Sequence, residues 1–126
     1  MVARTILVVD DYEELRQLTE EILIGAGYQV LSAPDGDEAV RLADRRSSPP
    51  DLLLTDLNLS GMPAKELVTA LKGLYPSIKV MVMSGSLDLP LGDPLSKLAP
   101  AAFLAKPFMA DDLLKTVHSV LEDEPM

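Results

Sequence analysis

Cysteine is absent from this chain of 126 residues, and histidine occurs only once. Without cysteine the protein cannot form a disulfide bond, a thiolate metal site or a cysteine nucleophile. A single histidine also excludes the metal sites that are built from several histidines. The sequence thus excludes the zinc and thiol chemistries that depend on these two residue types.

Positive charge is scarce as well. The chain has 11 lysines and arginines against 20 aspartates and glutamates, which gives a formal net charge of −9. Direct binding to nucleic acid needs clustered Lys and Arg that neutralise phosphates. We therefore expect no nucleic-acid partner.

Long hydrophobic runs are also missing. No apolar stretch approaches the roughly 18–20 residues of a membrane-spanning helix. At the N-terminus, Arg4 is followed by only four strongly apolar residues before Asp10, which is too short for the core of a signal peptide. These absences predict a cytoplasmic protein with no membrane partner.

The chain has the composition of a globular protein, with 48% hydrophobic and 25% charged residues. Its length fits one domain, which we expect over 1–126 with a core at about 4–121. Five short apolar runs predict strands. They are TILVVD (Thr5 to Asp10), YQVLSA (Tyr28 to Ala33), DLLLTD (Asp51 to Asp56), IKVMVMS (Ile78 to Ser84) and AAFLA (Ala101 to Ala105).

Amphipathic segments alternate with these runs. Their apolar residues recur at helical spacing in four groups: Leu15, Leu18, Ile22, Leu23 and Ala26; Ala39, Val40 and Ala43; Leu67, Val68, Leu71 and Leu74; Leu113, Leu114, Val117 and Leu121. The prolines of the segment Ser86 to Pro100 predict a loop and then a short helix that begins at Asp93 and Pro94. The alternation predicts a doubly wound α/β domain, with helices on both faces of a five-stranded parallel sheet.

Polar side chains stand at the carboxyl ends of four predicted strands. Asp10 and Asp11 end the first strand, Asp56 the third, Ser84 the fourth and Lys106 the fifth. Taken singly, each has an ordinary structural explanation: a helix-capping aspartate, a serine in a turn, a solvated loop lysine. Ligands of open parallel sheets bind outside the carboxyl ends of the strands, so the joint occurrence favours one common site.

The carboxylates at this edge indicate what the site binds. Burying charge without a partner costs several kcal/mol, and three close carboxylates also repel one another. A divalent cation removes that repulsion. A site made of oxygen ligands suits Mg²⁺ better than zinc, so the sequence predicts Mg²⁺ beside Asp10 and Asp11.

Four segments, ILVVDD, LLLTDLNLSGM, VMVMSGS and FLAKPF, together resemble the receiver domain of two-component response regulators. The resemblance covers nearly the whole chain, from about Arg4 to Leu121, and rests on the order and spacing of the motifs. It implies a flavodoxin-like sheet with strand order 2-1-3-4-5, and the prolines make its fourth helix short or irregular. The last two segments are similar to receivers of hybrid sensor histidine kinases.

The resemblance also implies a phosphoacceptor and a metal site. Asp56 would accept a phosphoryl group from a phosphohistidine of a sensor histidine kinase or a histidine phosphotransfer domain. Asp11, Asp56 and the backbone carbonyl of Asn58 would bind Mg²⁺, and Asp10 would act mostly through a metal-bound water. The chain would catalyse only its own phosphorylation and dephosphorylation, so we do not expect an enzyme.

The remaining roles implied by the resemblance concern the response to phosphorylation. Ser84 and Lys106 would hold phosphoryl oxygens, and Ser84 and Phe103 would form a switch. The leucines between Leu87 and Leu98 would then form an apolar surface for a partner or for a homodimer. The alternative is that these leucines simply pack on the sheet.

The chain departs from the family pattern after the phosphoacceptor position. Leu59 and Ser60 replace a Met-Pro pair, and Ala64 stands where a glycine is usual. An aspartate-nucleophile phosphatase of haloacid-dehalogenase type is the alternative function, because TDLNLSG resembles its DxD motif. That motif needs a second aspartate where this chain has Asn58, and it has no use for the pair Asp10 and Asp11.

Overall fold

The computed structural model describes residues 4–45, 49–57, 59, 61–84 and 102–122, except for the side chain of Phe103. Three predictions fall outside the described residues and remain predictions. They concern the backbone carbonyl of Asn58, the side chain of Phe103, and the helix and leucine surface expected between Ser86 and Pro100.

The described residues form a five-stranded sheet in which every neighbouring pair is parallel and the order is β2-β1-β3-β4-β5. The strands are β1 Thr5–Val9, β2 Gln29–Ala33, β3 Leu52–Asp56, β4 Lys79–Ser84 and β5 Ala102–Ala105. Each lies within one residue of its predicted run. The flavodoxin-like topology is thereby confirmed, and the carboxyl ends of β1, β3, β4 and β5 lie along one edge.

The described parts of the chain contain four helices: α1 Glu13–Gly25, α2 Gly36–Asp44, α3 Ala64–Leu74 and α4 Ala110–Glu122. The first three each connect two strands, and α4 follows β5. Asp35 caps α2, because its carboxylate accepts a hydrogen bond of 2.9 Å from the amide of Glu38. Beyond α1 the chain turns at Gly27, whose φ of 99° is open to glycine and strained for other residues. None of these four helices combines the length and apolar character that crossing a membrane requires.

Two hydrophobic layers cover the sheet, one on each face. Alternate residues of each central strand face opposite layers: Leu7 and Val9 of β1 pack with α2 and α3, whereas Ile6 and Val8 pack with the buried side chains of α1 and α4. This alternation explains why the strands are continuous apolar runs. Because described side chains cover both faces, the ends of the strands are the part of the described sheet that is best placed to meet a ligand or a partner.

The inner face of α1 differs from the expectation. Thr19 and Leu23 are its fully buried residues, whereas Leu18 is 51% exposed and Ala26 is exposed. Helical spacing alone assigned Leu18 to the core side. The structure instead places it beside the loop after β5, where it borders a surface groove that is described with the site below.

A tight contact joins the start of α2 to the loop between β3 and α3. Gly36 is buried, and a Cβ added there would lie 2.8 Å from Sδ and 3.0 Å from Cβ of Met62. The Met62 sulfur could swing aside, but its Cβ moves only with the backbone. Gly36 is thus required for space and not for its φ angle.

We expect Gly36→Ala to lower the free energy of unfolding by about 1–3 kcal/mol, the range for overpacking. Gly73→Ala is the matched control, because a Cβ at that helical glycine meets nothing within 4 Å. The control should gain up to about 1 kcal/mol from helix propensity. Urea unfolding of both variants tests the contact, and an equal gain for both would refute it.

Candidate functional site

The sheet brings the predicted polar residues to one edge. Asp10 directly follows β1, Asp56 and Ser84 are the last residues of β3 and β4, and Lys106 directly follows β5. Backbone hydrogen bonds hold the strand ends in register. The amide of Lys106 donates to the carbonyl of Ser84 at 2.8 Å, and the amide of Asp10 donates to the carbonyl of Ala33 at 3.2 Å. The predicted convergence on this edge is therefore observed.

Lys106 bridges two carboxylates from different strands. Its Nζ donates a hydrogen bond of 2.9 Å to Oδ2 of Asp56 and one of 3.2 Å to Oδ2 of Asp10. The side chain of Asp10 is fully buried, and those of Asp56 and Lys106 are 10% and 16% exposed. One ammonium group thus compensates two carboxylates that are almost removed from water.

The pKa of Lys106 reflects this environment. Burial by itself lowers the pKa, but the hydrogen bond to Asp56 and the negative charge of Asp10 raise it more, so the pKa lies above its usual 10.5. The side chain is therefore a permanent cation at neutral pH. A permanent cation here can attract an incoming phosphoryl group.

The loop between β1 and α1 is organised around Asp10. Oδ1 of Asp10 accepts a hydrogen bond of 3.0 Å from the amide of Tyr12. The backbone carbonyl of Asp10 accepts a hydrogen bond of 2.9 Å from Nη1 of Arg16. Sequence reasoning missed Arg16, because an arginine near the start of an amphipathic helix is usually a surface residue. The role of Arg16 can be seen only from its contact in the folded loop, because no sequence motif marks it.

Asp10, Asp11 and Asp56, here called the acidic cluster, could hold a metal ion. One carboxylate oxygen from each lies within 4.8 Å of the other two, and Asp11 is exposed whereas the other two are buried. The donor set is oxygen only and is open to solvent on the Asp11 side. That combination fits Mg²⁺, which prefers carboxylates and retains several waters.

An apolar groove lies beside the acidic cluster. The sequence did not predict this groove. It is lined by Leu15 and Leu18 of α1, and by Lys106, Pro107 and Phe108 of the loop after β5. The sequence assigned the leucines to a core face. Lys106 thus bonds to two members of the acidic cluster and also lines a surface that a protein partner can contact.

The comparisons with known proteins agree with this arrangement. The family model of the response regulator receiver domain matches residues 6–118. The chain therefore belongs to the response regulator receiver domain family, a family of signalling modules.

The similar proteins include some of about the same length as this chain and others that are much longer. The chain is 30% identical to sporulation initiation phosphotransferase F of Bacillus subtilis over 96% of each chain. It is 35% identical to the sensor histidine kinase TmoS of Ectopseudomonas mendocina, over 92% of this chain but 12% of that protein. The structure of the chemotaxis response regulator CheY4 of Vibrio cholerae superposes with a TM-score of 0.85 at 29% identity, over 95% of this chain and 100% of that one.

These matches also decide between the two functions considered from sequence. The family, the relatives and the strand order are those of receivers, and they give no support to a haloacid-dehalogenase-type phosphatase. The predicted family and fold are confirmed.

Proposed function

We propose that this chain is a single receiver domain in a cytoplasmic two-component phosphorelay, in which Asp56 is the phosphoacceptor. The observation that carries the proposal is the pairing of Asp56 with Lys106 at the edge of the sheet. An aspartate at the end of a central strand, 2.9 Å from a permanent cation, is a nucleophile beside a group that stabilises negative charge.

The transfer itself is a displacement at phosphorus. Oδ of Asp56 forms a P–O bond while the P–N bond of a donor phosphohistidine breaks, and the electron pair leaves with the imidazole nitrogen. Phosphoryl transfer depends on positioning and on positive charge around the equatorial oxygens. Lys106 and the hydroxyl of Ser84 would hold those oxygens once the acyl phosphate has formed.

Mg²⁺ fits the acidic cluster and would supply further positive charge for the phosphoryl oxygens when bound. Asp11 and Asp56 would be direct ligands together with the carbonyl of Asn58, and Asp10 would act through a water. Both carboxylate oxygens of Asp10 accept a hydrogen bond, one from the amide of Tyr12 and one from Lys106, and this supports the indirect role. Phe103 remains the proposed partner of Ser84 in the switch.

The donor would be a sensor histidine kinase or a histidine phosphotransfer domain, and the apolar groove supports a protein donor. Lys106 lines the groove and also bonds to Asp56, so a partner bound at Leu15 and Leu18 would bring its phosphohistidine close to Asp56. The chain would turn over only its own phosphoryl group, and neither nucleic acid nor membrane would be a direct partner. A homodimer stays an alternative use of its apolar surfaces.

Labelling with a small phosphodonor tests the proposal. Incubation with acetyl phosphate and Mg²⁺ should add one acid-stable, base-labile phosphoryl group, measured by intact mass. Asp56→Asn should lose the label completely, because its amide is no longer a nucleophile. Asp44→Asn, at an exposed position at the end of α2, is the matched control and should label like the wild type.

Two results would contradict the proposal. The first is equal labelling of the wild type and Asp56→Asn. The second is repeated turnover of p-nitrophenyl phosphate, which would indicate a phosphatase.

A further inference from the structure

Asp10 is held by its backbone as well as by its carboxylate. Its carbonyl accepts the 2.9 Å hydrogen bond from the guanidinium of Arg16, six residues along the chain and on α1. Its carboxylate is bonded at the same time to the Tyr12 amide and to Lys106. The guanidinium thus joins α1 to the peptide that leads from Asp10 into Asp11.

This peptide decides where two members of the acidic cluster lie. Asp10 directly follows β1 and its amide bonds to the carbonyl of Ala33, whereas Asp11 is one residue further from the strand and is exposed. The carbonyl of Asp10 belongs to the peptide plane that enters Asp11, so a bond to this carbonyl restricts the rotation that would turn Asp11 away. Outer partners of this kind orient the ligands of metal sites.

We propose that Arg16 is a positioning residue for the acidic cluster: by holding the carbonyl of Asp10, it keeps the carboxylate of Asp11 within reach of the cation bound by Asp56. This inference rests on the proposed function, because it concerns the same metal site. Arg16 itself contacts neither the cation nor the phosphoryl group.

The charge of Arg16 and its positioning role have opposite effects on metal binding, which makes the inference testable. A positive charge near the cluster repels Mg²⁺, so an arginine that acted only through charge would weaken binding, and its removal would tighten it. An arginine that positions Asp11 strengthens binding, and its removal weakens it. The sign of the change distinguishes the two.

The experiment measures Mg²⁺ dissociation constants by calorimetric titration of the wild type, Arg16→Gln, Arg16→Lys and Arg41→Gln. Both Arg16 variants should bind Mg²⁺ about tenfold more weakly, the lower end of the effect of outer partners in metal sites. Arg16→Lys keeps the charge but not the guanidinium geometry. Arg41→Gln removes the same charge from α2, where Arg41 forms an exposed pair with Glu38, and should stay close to the wild-type constant.

A second readout follows the loop without metal. Hydrogen exchange at the Tyr12 amide should become faster in both Arg16 variants, because the loop that holds its acceptor is loosened. Unchanged Mg²⁺ affinity together with lower stability would make Arg16 purely structural, and tighter binding in Arg16→Gln would make it only a nearby charge. Either result overturns the inference. If the wild type itself shows no Mg²⁺ binding, the proposed function fails and this inference fails with it.

Discussion

Lys106→Met is expected to lower the free energy of unfolding by about 3 kcal/mol when no metal is added. The ammonium group of Lys106 bonds to Asp10 and Asp56, which are 0% and 10% exposed at their side chains. Removing one partner of a buried ion pair leaves an uncompensated charge and typically costs 3–5 kcal/mol. Urea unfolding in the presence of a chelator measures the loss.

Lys115→Met is the matched control for this prediction. Lys115 is exposed on α4, so the control removes one positive charge from the same acidic protein without touching the site. Its stability should stay within about 0.5 kcal/mol of the wild type. If the two variants unfold at the same urea concentration, Lys106 does not compensate the buried carboxylates.

The same ion pairs predict a pH dependence at alkaline pH. The folded-state pKa of Lys106 is raised above the 10.5 of an ordinary lysine, because the hydrogen bond to Asp56 and the charge of Asp10 outweigh the lowering by burial. The stabilisation is fully present below pH 10.5 and is lost as the pH rises through the raised value. The stability difference between wild type and Lys106→Met should therefore narrow above pH 10.5.

Mg²⁺ should stabilise the wild type by roughly 2.7 kcal/mol at about 100 times its dissociation constant, because it binds the folded acidic cluster and not the unfolded chain. Asp11→Asn should lose this effect. Without metal the same substitution should raise stability by up to about 1 kcal/mol, the order of the repulsion in water between two charges at the close spacing of the acidic cluster, whose ligand oxygens, one from each carboxylate, lie within 4.8 Å of one another. Thermal melts with and without Mg²⁺ measure both effects.

Glu21→Gln is the control for the metal prediction. It removes one exposed carboxylate from α1 but none from the acidic cluster, so its shift with Mg²⁺ should match the wild type. An equal shift in Asp11→Asn would exclude Asp11 as a ligand. A wild type that does not respond to Mg²⁺ would exclude the site as a whole.

The strands and the edge they share could be predicted from sequence because both depend on local patterns. A run such as Leu52–Leu54 is apolar at every position, which indicates burial on both faces before any partner is known. Parallel pairing then brings the strand ends together, so Asp10, Asp56 and Lys106 were expected at one edge.

Several contacts of the fold and of the site could not be predicted, because each depends on residues distant in sequence or on the direction of one side chain. Gly36 looks like a flexible glycine until Met62 is placed against it. Leu18 fits the apolar spacing of α1 and is nevertheless half exposed. Arg16 looks like a solvated arginine, and only the fold of the loop brings its guanidinium to the carbonyl of Asp10.

The distances along the chain between the residues of the ion pairs have a consequence for folding. Lys106 is separated by 96 positions from Asp10 and by 50 from Asp56. Pairings between such distant segments form slowly, because the intervening chain must first lose its freedom. Asp56 cannot meet the ammonium group of Lys106 until β3, β4 and β5 have docked, because β4 lies between the other two strands. Under the proposed function, a nascent or partly unfolded chain would therefore be a poor phosphoryl acceptor, and correctly folded copies would be the ones that take a phosphoryl group from the donor.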